Sequence, residues 1–353
     1  MPNTTVKTSR IAPPALMAWA AVACVALSIP AAITLGTADI TVTEVTQVLR
    51  SAITGQPATD VAAGTIHIVW DLRLPRVLLA ATVGAGLALL GGLMQTLVRN
   101  PLADPYILGI SSGASVGAAA VILFNVFSLR TVFGAQAVSI AGFTGALIAT
   151  LIVYLLSRTD SGLSPHRLIL GGVALGFMFS AITSLLIFLG MPHAAGSVLF
   201  WILGGLGRAA WNTLAIPVVL CVAVSVYAIG RSGWLNALAM GDDVATSLGV
   251  PVTRFRAELF FASALLTGVF VAISGAIGFV GLILPHFARL LVGSDHRRML
   301  FVAMPLGALF LIWADVFART IAAPQVLPVG VITALVGGPV FIILLIGKTR
   351  SMR

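Results

Sequence analysis

The chain has 353 residues, of which 59% are hydrophobic and only 9% are charged, and its net charge is +9. Soluble domains carry about 25% charged residues, so this composition excludes a soluble globule and indicates a protein that crosses a membrane several times. The basic residues stand singly near the ends of apolar blocks. That placement is typical of membrane-topology signals and does not indicate nucleic-acid binding.

Apolar blocks of roughly 20 residues, the length that crosses a bilayer, recur along the chain. They predict an all-α polytopic fold of about ten transmembrane helices within a single domain, residues 1–353. The spans are placed at about 15–35, 76–98, 106–125, 135–157, 168–190, 212–230, 257–275, a short broken helix after 275, 300–318 and 329–347. Most of the 20 basic residues then lie on one side, which predicts that both termini are cytoplasmic.

Residues 37–72 connect the first two spans and are predicted to be external. Within them, TVTEVTQVLRSAI alternates apolar and polar side chains in the manner of an amphipathic helix on a membrane surface. Pro75 is expected to mark the start of the second span.

Two polar stretches that contain proline interrupt the apolar blocks, Asn100-Pro101-Leu102 and Pro285-His286. Proline removes a helical hydrogen bond, so both stretches predict broken helices. They occupy corresponding places in spans two to five and seven to ten, which indicates a possible internal repeat. Paired broken helices in two halves are typical of transporters.

The segment from Leu235 to Arg256 is polar and lies between two predicted spans. Gly241 and Gly249 divide it, which predicts a short helix, a glycine turn and a second short helix outside the bilayer. An apolar stripe runs beside Asp242 and Asp243; its members are Leu235, Leu238, Ala245 and Leu248. The stripe either fills a cleft in a cytoplasmic partner or packs on its own protein, and spacing alone leaves both possibilities open.

Arg73, Arg76 and Arg319 lie on the predicted outer side, against the usual charge bias. They are candidates for docking carboxylates of an external partner; lipid headgroup contact or helix capping are the alternatives. Glu258 and Asp315 stand near span ends beside arginines, so we expect ion pairs there. Such pairing disfavours a proton-driven carrier, which would place carboxylates near the membrane midplane.

Motifs of nucleotide hydrolysis, of a Ser-His-Asp triad and of a metal site do not occur in the sequence. We therefore expect a protein that is not an enzyme and that, if it pumps, takes its energy from another subunit. Cys24 and Cys221 lie inside apolar spans, where they are expected to be small buried hydrophobes.

Several stretches together resemble one family. They are Arg73-Leu74-Pro75-Arg76, the GLMQ and NPLADP sequences between Gly91 and Pro105, the following LGISSGA, LAMGDDVATSLG from Leu238, GAIGFVGLILPHFARLLVGSDHR from Gly275, and LPVGVITALVGGPVFIILL from Leu327. The chain resembles the FecCD-type permeases of ATP-binding-cassette importers, which carry ferric siderophores, haem or vitamin B12. The resemblance extends in order over nearly all of the chain beyond about residue 40.

The resemblance implies an assembly in a bacterial inner membrane. It consists of two permease subunits (here expected to be a homodimer), two cytoplasmic ATPases that hold ATP and magnesium, and an external substrate-binding protein. This chain itself is expected to bind no cofactor. We expect an iron–siderophore complex as cargo, with haem or cobalamin as alternatives. A stand-alone secondary transporter is the alternative from another class; it predicts midplane carboxylates and no docking helix.

The family's functional residues map onto three groups. ATPase coupling maps to Leu238, Gly241, Asp242, Asp243, Ala245, Leu248 and Gly249, and docking of the binding protein to Arg73, Arg76 and Arg319. The inner gates map to Asn100, Leu102, Ser164, Pro165 and His166, and helical position adds Ser180, Thr183 and Ser184 as candidates to line the path. Pro165 and His166 depart from the small hydroxyl residues of family members such as the vitamin B12 permease.

Overall fold

A computed structural model describes residues 13–36, 38–56, 61–160 and 162–350, the last seven of these as backbone alone. The described chain is helical apart from one short hairpin. The α-helices are α1 Pro14–Thr34, α2 Val42–Thr54, α3 Ala63–His67, α4 Leu74–Leu97, α5 Ile110–Phe124, α6 Leu129–Phe133, α7 Ala137–Ser157, α8 Pro165–Leu189, α9 Pro192–Ile202, α10 Trp211–Gly230, α11 Ser232–Met240, α12 Asp242–Ser247, α13 Val252–Ser274, α14 Val280–Val292, α15 His296–Thr320 and α16 Val329–Arg350. The hairpin pairs β1 Arg158–Thr159 with β2 Gly162–Leu163 in antiparallel register.

Seven helical stretches are long and apolar enough to cross a membrane. They are Pro14–Thr34, Ala63–Leu97, Val126–Ser157, Pro165–Leu189, Trp211–Gly230, Val252–Ser274 and His296–Thr320, with shorter apolar helices at Ile110–Phe124, Val280–Val292 and Val329–Ile343. The predicted all-α polytopic fold is confirmed. The count of about ten spans, the single domain and the internal repeat stay predictions.

The predicted amphipathic helix of the 37–72 segment is α2. It begins with a capping box, in which the Thr41 hydroxyl accepts from the Glu44 N–H and the Glu44 carboxylate accepts from the Thr41 N–H. Val45 and Val48 form its buried side, and α2 packs against α1.

Helix α4 is the centre of the bundle, since most of its side chains are buried and it packs against α15, α14, α10 and α13. Against α15 the approach is reciprocal: a Cβ at Gly84 would overlap the Gly307 carbonyl, and a Cβ at Gly307 would overlap the Gly84 carbonyl. Two glycines facing each other let the backbones touch, which is how small residues bring membrane helices together.

Pro75 does not start the second span. The helix begins at Ala63 and passes through a π-helical stretch, Ile68–Arg73, before α4. In this stretch the Leu74 N–H donates to the Val69 carbonyl, five residues back. Pro75 has no N–H to donate, and a wider π turn just before it lets the chain continue as a helix, which a start-or-stop rule for proline does not foresee.

The first predicted break is present, because the chain is non-helical from Arg99 to Asp104 and then forms a 3₁₀ turn, Pro105–Leu108. The second is misplaced. Pro285 lies inside α14, and the break precedes that helix at Gly275–Phe279. Proline at 285 leaves the carbonyl of Gly281 without its helical donor, and the Gln95 side-chain amide donates to this carbonyl and to that of Leu282, at 3.4 and 3.3 Å. Gln95 thus lets α14 keep its proline.

Candidate functional site

The polar segment Leu235–Arg256 forms the predicted helix, turn and helix. Helix α11 ends at Gly241, whose φ of 126° and ψ of 159° are not helical. Helix α12 ends before Gly249, which has a φ of +79°. There the N–H groups of Gly249 and Val250 donate to the carbonyls of Thr246 and Ala245, each at 2.9 Å. This is a Schellman-type helix end, which favours glycine at the left-handed position.

The apolar stripe of this segment turns mostly inward. Leu235, Leu238 and Ala245 are fully buried, so for these three the alternative of packing on their own protein is what the structure shows. The exposed apolar side chains are Met240 at 70%, Leu248 at 65% and Val244 at 38% exposure. We call these three residues the α11–α12 apolar patch.

Of this patch, only Leu248 was predicted from the sequence. The prediction assumed that one helical register continues across Gly241. The glycine turn resets that register: α12 starts again in a new direction after a non-helical residue. A separate helical projection of each half, cut at the glycine, would have placed Val244 and Leu248, four residues apart, on one face.

The carboxylate of Asp242 joins three elements. It forms ion pairs with Arg99, just after α4, and with Arg256 of α13, whose Nη2 lies 2.8 Å from Asp242 Oδ1. The Nη1 of Arg256 donates to Asp242 Oδ2 at 3.2 Å and to the carbonyl of Leu163 in β2 at 3.3 Å. We call this set the Asp242 junction.

The Asp242 junction lies beside both predicted gate segments. Arg99 immediately precedes Asn100, and Leu163 immediately precedes Ser164. Partial burial alone would raise the pKa of the Asp242 carboxyl, but hydrogen bonds and ion pairs with Arg256 and Arg99 hold that pKa below its ordinary value. The carboxylate is therefore charged at neutral pH and can hold both arginines.

A second link joins α11 to the start of α15 and to α4. The amide nitrogen of Asn236 donates to Asp295 Oδ2 at 2.8 Å. Its amide oxygen accepts from the His296 N–H at 2.9 Å and lies 2.6 Å from His296 Nδ1. His296 Nε2 in turn lies 2.7 Å from Thr96 Oγ1 near the end of α4. Asn236 therefore ties the polar segment to the ends of two spans.

The predicted gate residues Asn100 and Leu102 form one tight turn. The side-chain oxygen of Asn100 accepts from the Leu102 N–H at 2.9 Å, and Arg99 before it has a positive φ of 51°. The Leu102 side chain is about half exposed. The turn is thus a compact unit attached to the Asp242 junction by Arg99.

Ser164, Pro165 and His166 form the start of α8. The Ser164 hydroxyl accepts from the Arg167 N–H at 3.5 Å as the N-cap, and Pro165 takes the first helical position, which suits proline because no donor is needed there. His166 is exposed. The departure from small hydroxyl residues is therefore compatible with a regular helix start.

Of the three hydroxyl residues proposed along α8, two share a face. Ser180 and Ser184 are exposed and four residues apart, and the Ser184 hydroxyl donates to the Ser180 carbonyl at 3.0 Å. Thr183 is buried and donates to the Phe179 carbonyl at 2.9 Å. Thr183 therefore faces neighbouring helices and not the surface that Ser180 and Ser184 share.

The other end of α4, about 36 Å away over 24 residues, carries a second charged cluster. Asp315 is 1% exposed; its two carboxylate oxygens share the Arg76 Nε–H, both at 3.0 Å, and its Oδ1 also accepts from Arg76 Nη2 at 2.8 Å. Arg319 Nε lies 3.4 Å from the other carboxylate oxygen. We call this end the Asp315 end, and the opposite one the Asp242 end.

Two arginines at the Asp315 end donate to carbonyls in the last turn of α1 and in the residues just after it. Arg73 reaches those of Ile33, Thr34 and Ala38 at 2.7 to 3.1 Å, and Arg319 reaches those of Ala32 and Leu35 at 2.6 and 2.8 Å. Both side chains are buried. This is the helix-capping alternative of the sequence analysis; docking of an external partner stays a prediction.

The expected pairing of Glu258 is also present, since its carboxylate accepts from the Tyr227 hydroxyl at 2.6 Å and from Arg254 Nε at 2.8 Å. Within the described ranges, no three His, Cys, Asp or Glu side chains group as a metal site requires. The ion pairs and hydrogen bonds described above join helices to one another.

Comparison with known proteins agrees with this architecture. The model of the FecCD transport family matches residues 23–347. Among curated relatives, the hemin transport system permease HmuU of Yersinia pestis is 40% identical over 287 residues, covering 81% of this chain and 85% of that protein. The vitamin B12 import system permease BtuC of Citrobacter koseri is 41% identical over 282 residues, covering 80% and 84%.

A solved structure shares the fold over nearly the whole chain. It is a metal-chelate type ABC transporter in an inward-facing conformation, which superposes with a TM-score of 0.78 at 30% sequence identity and covers 94% of this chain and 99% of the other. The two chains therefore share the fold over nearly the whole length of both.

Proposed function

The chain belongs to the FecCD transport family, and we propose that it forms, with a second copy of itself, the path by which a large metal chelate enters the cell. Its relatives are permease subunits of ABC importers, so the chain is a non-catalytic membrane subunit and ATP is hydrolysed on a separate ATPase. In the proposed assembly two ATPases hold ATP and magnesium at the cytoplasmic Asp242 end, and an external binding protein delivers the cargo at the Asp315 end. Both termini are then cytoplasmic.

The observation that carries this proposal is the Asp242 junction. One carboxylate in the segment offered to the ATPase holds Arg99 and Arg256, and through them the Asn100 turn and the Leu163 hairpin. When ATP binding moves the ATPases together, the pull on α12 is carried through these ion pairs to both gate segments. The gates then switch, which gives alternating access without any covalent change in the cargo.

The α11–α12 apolar patch is the surface proposed to contact the ATPase. Met240, Val244 and Leu248 are exposed in this segment, and a helix that lays an apolar face into a partner's groove is a common mode of recognition. Gly241 and Gly249 shape the segment, and Asp243, which is exposed, belongs to the proposed contact. Leu238 and Ala245 hold the segment on its own protein from within.

The exposed face of α8 is proposed to line the path in the dimer. Ser180 and Ser184 supply hydroxyl groups on a face otherwise rich in exposed apolar residues such as Phe177 and Phe188. A mostly apolar wall with few charges suits a large cargo that must pass without being held. The matched control for this proposal is Thr183, whose buried hydroxyl would not touch the cargo.

Docking of the binding protein through Arg73, Arg76 and Arg319 stays part of the proposal. Arg76 is the least buried of the three, with 16% of its side chain exposed. Charge reversal to glutamate at Arg76 is expected to weaken docking, with a strong dependence on salt. Because Arg76 also forms an ion pair with the buried Asp315, binding to the external protein must be measured on a variant whose melting temperature equals that of the wild type.

The cargo class is proposed from the relatives. HmuU is named for hemin and BtuC for vitamin B12, and the superposed structure is of the metal-chelate type. Haem and cobalamin therefore stand beside the iron–siderophore complex expected from the sequence. All three are bulky metal chelates, which an apolar path of this kind would carry.

The test is reconstitution of the permease with its ATPase and binding protein in vesicles, with hemin, cobalamin and ferric siderophores supplied in turn. One of the three is expected to accumulate inside the vesicles only when ATP is present on the ATPase side. Uptake driven by a proton gradient without ATP would overturn the proposal in favour of a secondary transporter. Failure of all three chelates, with ATP-driven uptake of another solute, would overturn the cargo class alone.

A further inference from the structure

A groove of about 900 Å³ opens between α1 and α15, with single residues of α4 and α10 at its floor. Its volume is within the range of ligand sites, roughly 300–1,000 Å³. The walls are apolar and include Trp19 and Val22 of α1 and Phe301 and Met304 of α15. At one end of the groove lie Arg297 and Arg298.

Toward the Asp315 end, α1 and α15 are joined by side-chain hydrogen bonds. There the Trp313 Nε1–H donates to the Ser28 hydroxyl at 3.1 Å, and Arg319 holds the carbonyls of Ala32 and Leu35. Toward the Asp242 end the two helices part, and the side chains between them are exposed, as Trp19 is at 72%. The opening is therefore part of the helix arrangement.

The length of the groove matches one leaflet. Its α15 wall extends from Arg297 to Ala308, a rise of about 16 Å in a helix. The apolar part of a bilayer is about 30 Å thick, so the groove spans about half of it. An object that fills the groove begins at headgroup level and ends near the bilayer midplane.

The charge at the mouth of the groove is positive. Arg297 and Arg298 are exposed, and neither guanidinium forms an ion pair within the described ranges. The nearby carboxylate of Asp295 is already occupied, since it accepts from the Arg298 backbone N–H at 3.0 Å and from the Asn236 amide at 2.8 Å. Two cations beside one engaged anion leave an excess positive charge facing the headgroup region.

We propose that the groove holds one anionic phospholipid from the leaflet at the Asp242 end. Its phosphate contacts Arg297 and Arg298, and an acyl chain lies against Trp19, Val22, Phe301 and Met304. Basic pockets between membrane helices bind anionic headgroups in this way. A purely apolar occupant would leave the arginine pair unused, and the chain before residue 13 carries Lys7 and Arg10, which are of the same sign as that pair.

The proposal is independent of the transport function. The orientation proposed above decides only that this leaflet is the inner one. Lipid binding to the purified permease needs neither ATPase nor cargo, so its failure would leave the importer proposal untouched, and failure of transport would leave the lipid site untouched.

The experiment is native mass spectrometry of the delipidated permease titrated with phosphatidylglycerol and with phosphatidylethanolamine of the same acyl chains. Phosphatidylglycerol is expected to bind one tight site. The double variant Arg297→Gln/Arg298→Gln is expected to weaken that site about 30-fold, because each arginine near a lipid surface contributes about one kcal/mol. The control Arg158→Gln/Arg167→Gln removes the same charge from two exposed arginines outside the groove and is expected to bind like the wild type.

A second variant fills the groove without changing charge. Val22→Trp adds bulk at a position 44% exposed, so the core is not disturbed, and it is expected to abolish the tight site for phosphatidylglycerol. A photoactivatable phosphatidylglycerol is expected to crosslink to residues 297–308 and 14–25. Equal affinity for the two lipids, equal loss in the control, or crosslinks dispersed over all helices would overturn the proposal and indicate ordinary boundary lipid.

Discussion

The two charged clusters at the ends of α4 are built from the same residue types but differ in burial. At the Asp315 end a carboxylate that is 1% exposed is enclosed by Arg76 and Arg319, and the remaining donors cap α1. At the Asp242 end the carboxylate is 41% exposed, and its two arginines come from the turn after α4 and from helix α13. We expect the buried cluster to hold the fold and propose that the exposed one transmits motion, so that burial, rather than composition, would separate the two roles.

The same substitution at each end separates the two roles, and the largest effect is expected at the Asp315 end. Asp315→Asn leaves Arg76 and Arg319 buried without a counter-charge, which should lower the free energy of unfolding by about 3–5 kcal/mol. Asp39→Asn is the matched control, because Asp39 is exposed at the same end. Thermal unfolding in detergent measures both; equal melting temperatures would show that the buried cluster does not hold the fold.

The next effect concerns the link between α11 and α15. Asn236→Ala removes the partner of Asp295 and of His296, which is 3% exposed, and should cost about 1–3 kcal/mol of stability. Asn212→Ala, at an exposed asparagine of α10, should cost less than about 0.5 kcal/mol. Chemical unfolding followed by tryptophan fluorescence gives both values. An unchanged free energy of unfolding in Asn236→Ala would show that Asn236 does not hold α11 to α15.

A smaller effect on free energy, but a clear one on assembly, is expected at the apolar patch. Leu248→Asp places a charge on the surface proposed for the ATPase and should weaken ATPase binding by about 2 kcal/mol, close to 30-fold, without lowering stability. Val132→Asp introduces the same change at an exposed position of α6. The measurement is equilibrium binding of the ATPase to the permease in nanodiscs. If Leu248→Asp binds the ATPase as tightly as the wild type does, the patch is not part of the interface.

The smallest effect is expected from pH. The pKa of Asp242 is lowered, as is that of Asp295, where the hydrogen bond from the Arg298 N–H is the main cause. A carboxyl with a lowered pKa keeps its contribution above the ordinary value near 4 and loses it only when the pH falls through the lowered one. The number of cargo molecules transported per ATP should therefore stay constant from about pH 5.5 to about pH 8. A change in this ratio with a midpoint near pH 7 would indicate that a histidine controls it instead.

Much of the fold could be predicted because long apolar stretches of sequence indicate membrane helices. The helix pair around Gly241, the capped helix α2 and the break after Leu97 follow from local patterns. Local patterns could not place the break before α14, because the Gly281 carbonyl that Pro285 leaves without a donor accepts from Gln95, which is 186 residues away in sequence.

The site was predictable in outline and not in its contacts. The sequence placed Asp242 in an exposed helix pair, but its partners Arg99 and Arg256 come from two other elements. Arg73 and Arg319 were singled out because their charge opposes the topology bias, and no sequence rule relates them to the carbonyls of α1 that they cap. Such contacts depend on which helices pack together, and local sequence patterns do not reveal the packing partners.

The most direct test of the Asp242 junction is the number of cargo molecules transported per ATP hydrolysed in vesicles that contain the whole importer. Asp242→Asn is expected to lower that ratio about tenfold or more, within the 5–150-fold range of coupling energies, while ATP hydrolysis stays within about twofold because the apolar patch still binds the ATPase. Asp160→Asn, at an exposed aspartate of the neighbouring hairpin turn, should leave the ratio unchanged. An unchanged ratio in Asp242→Asn would contradict the role of this carboxylate in joining the ATPase segment to the gates.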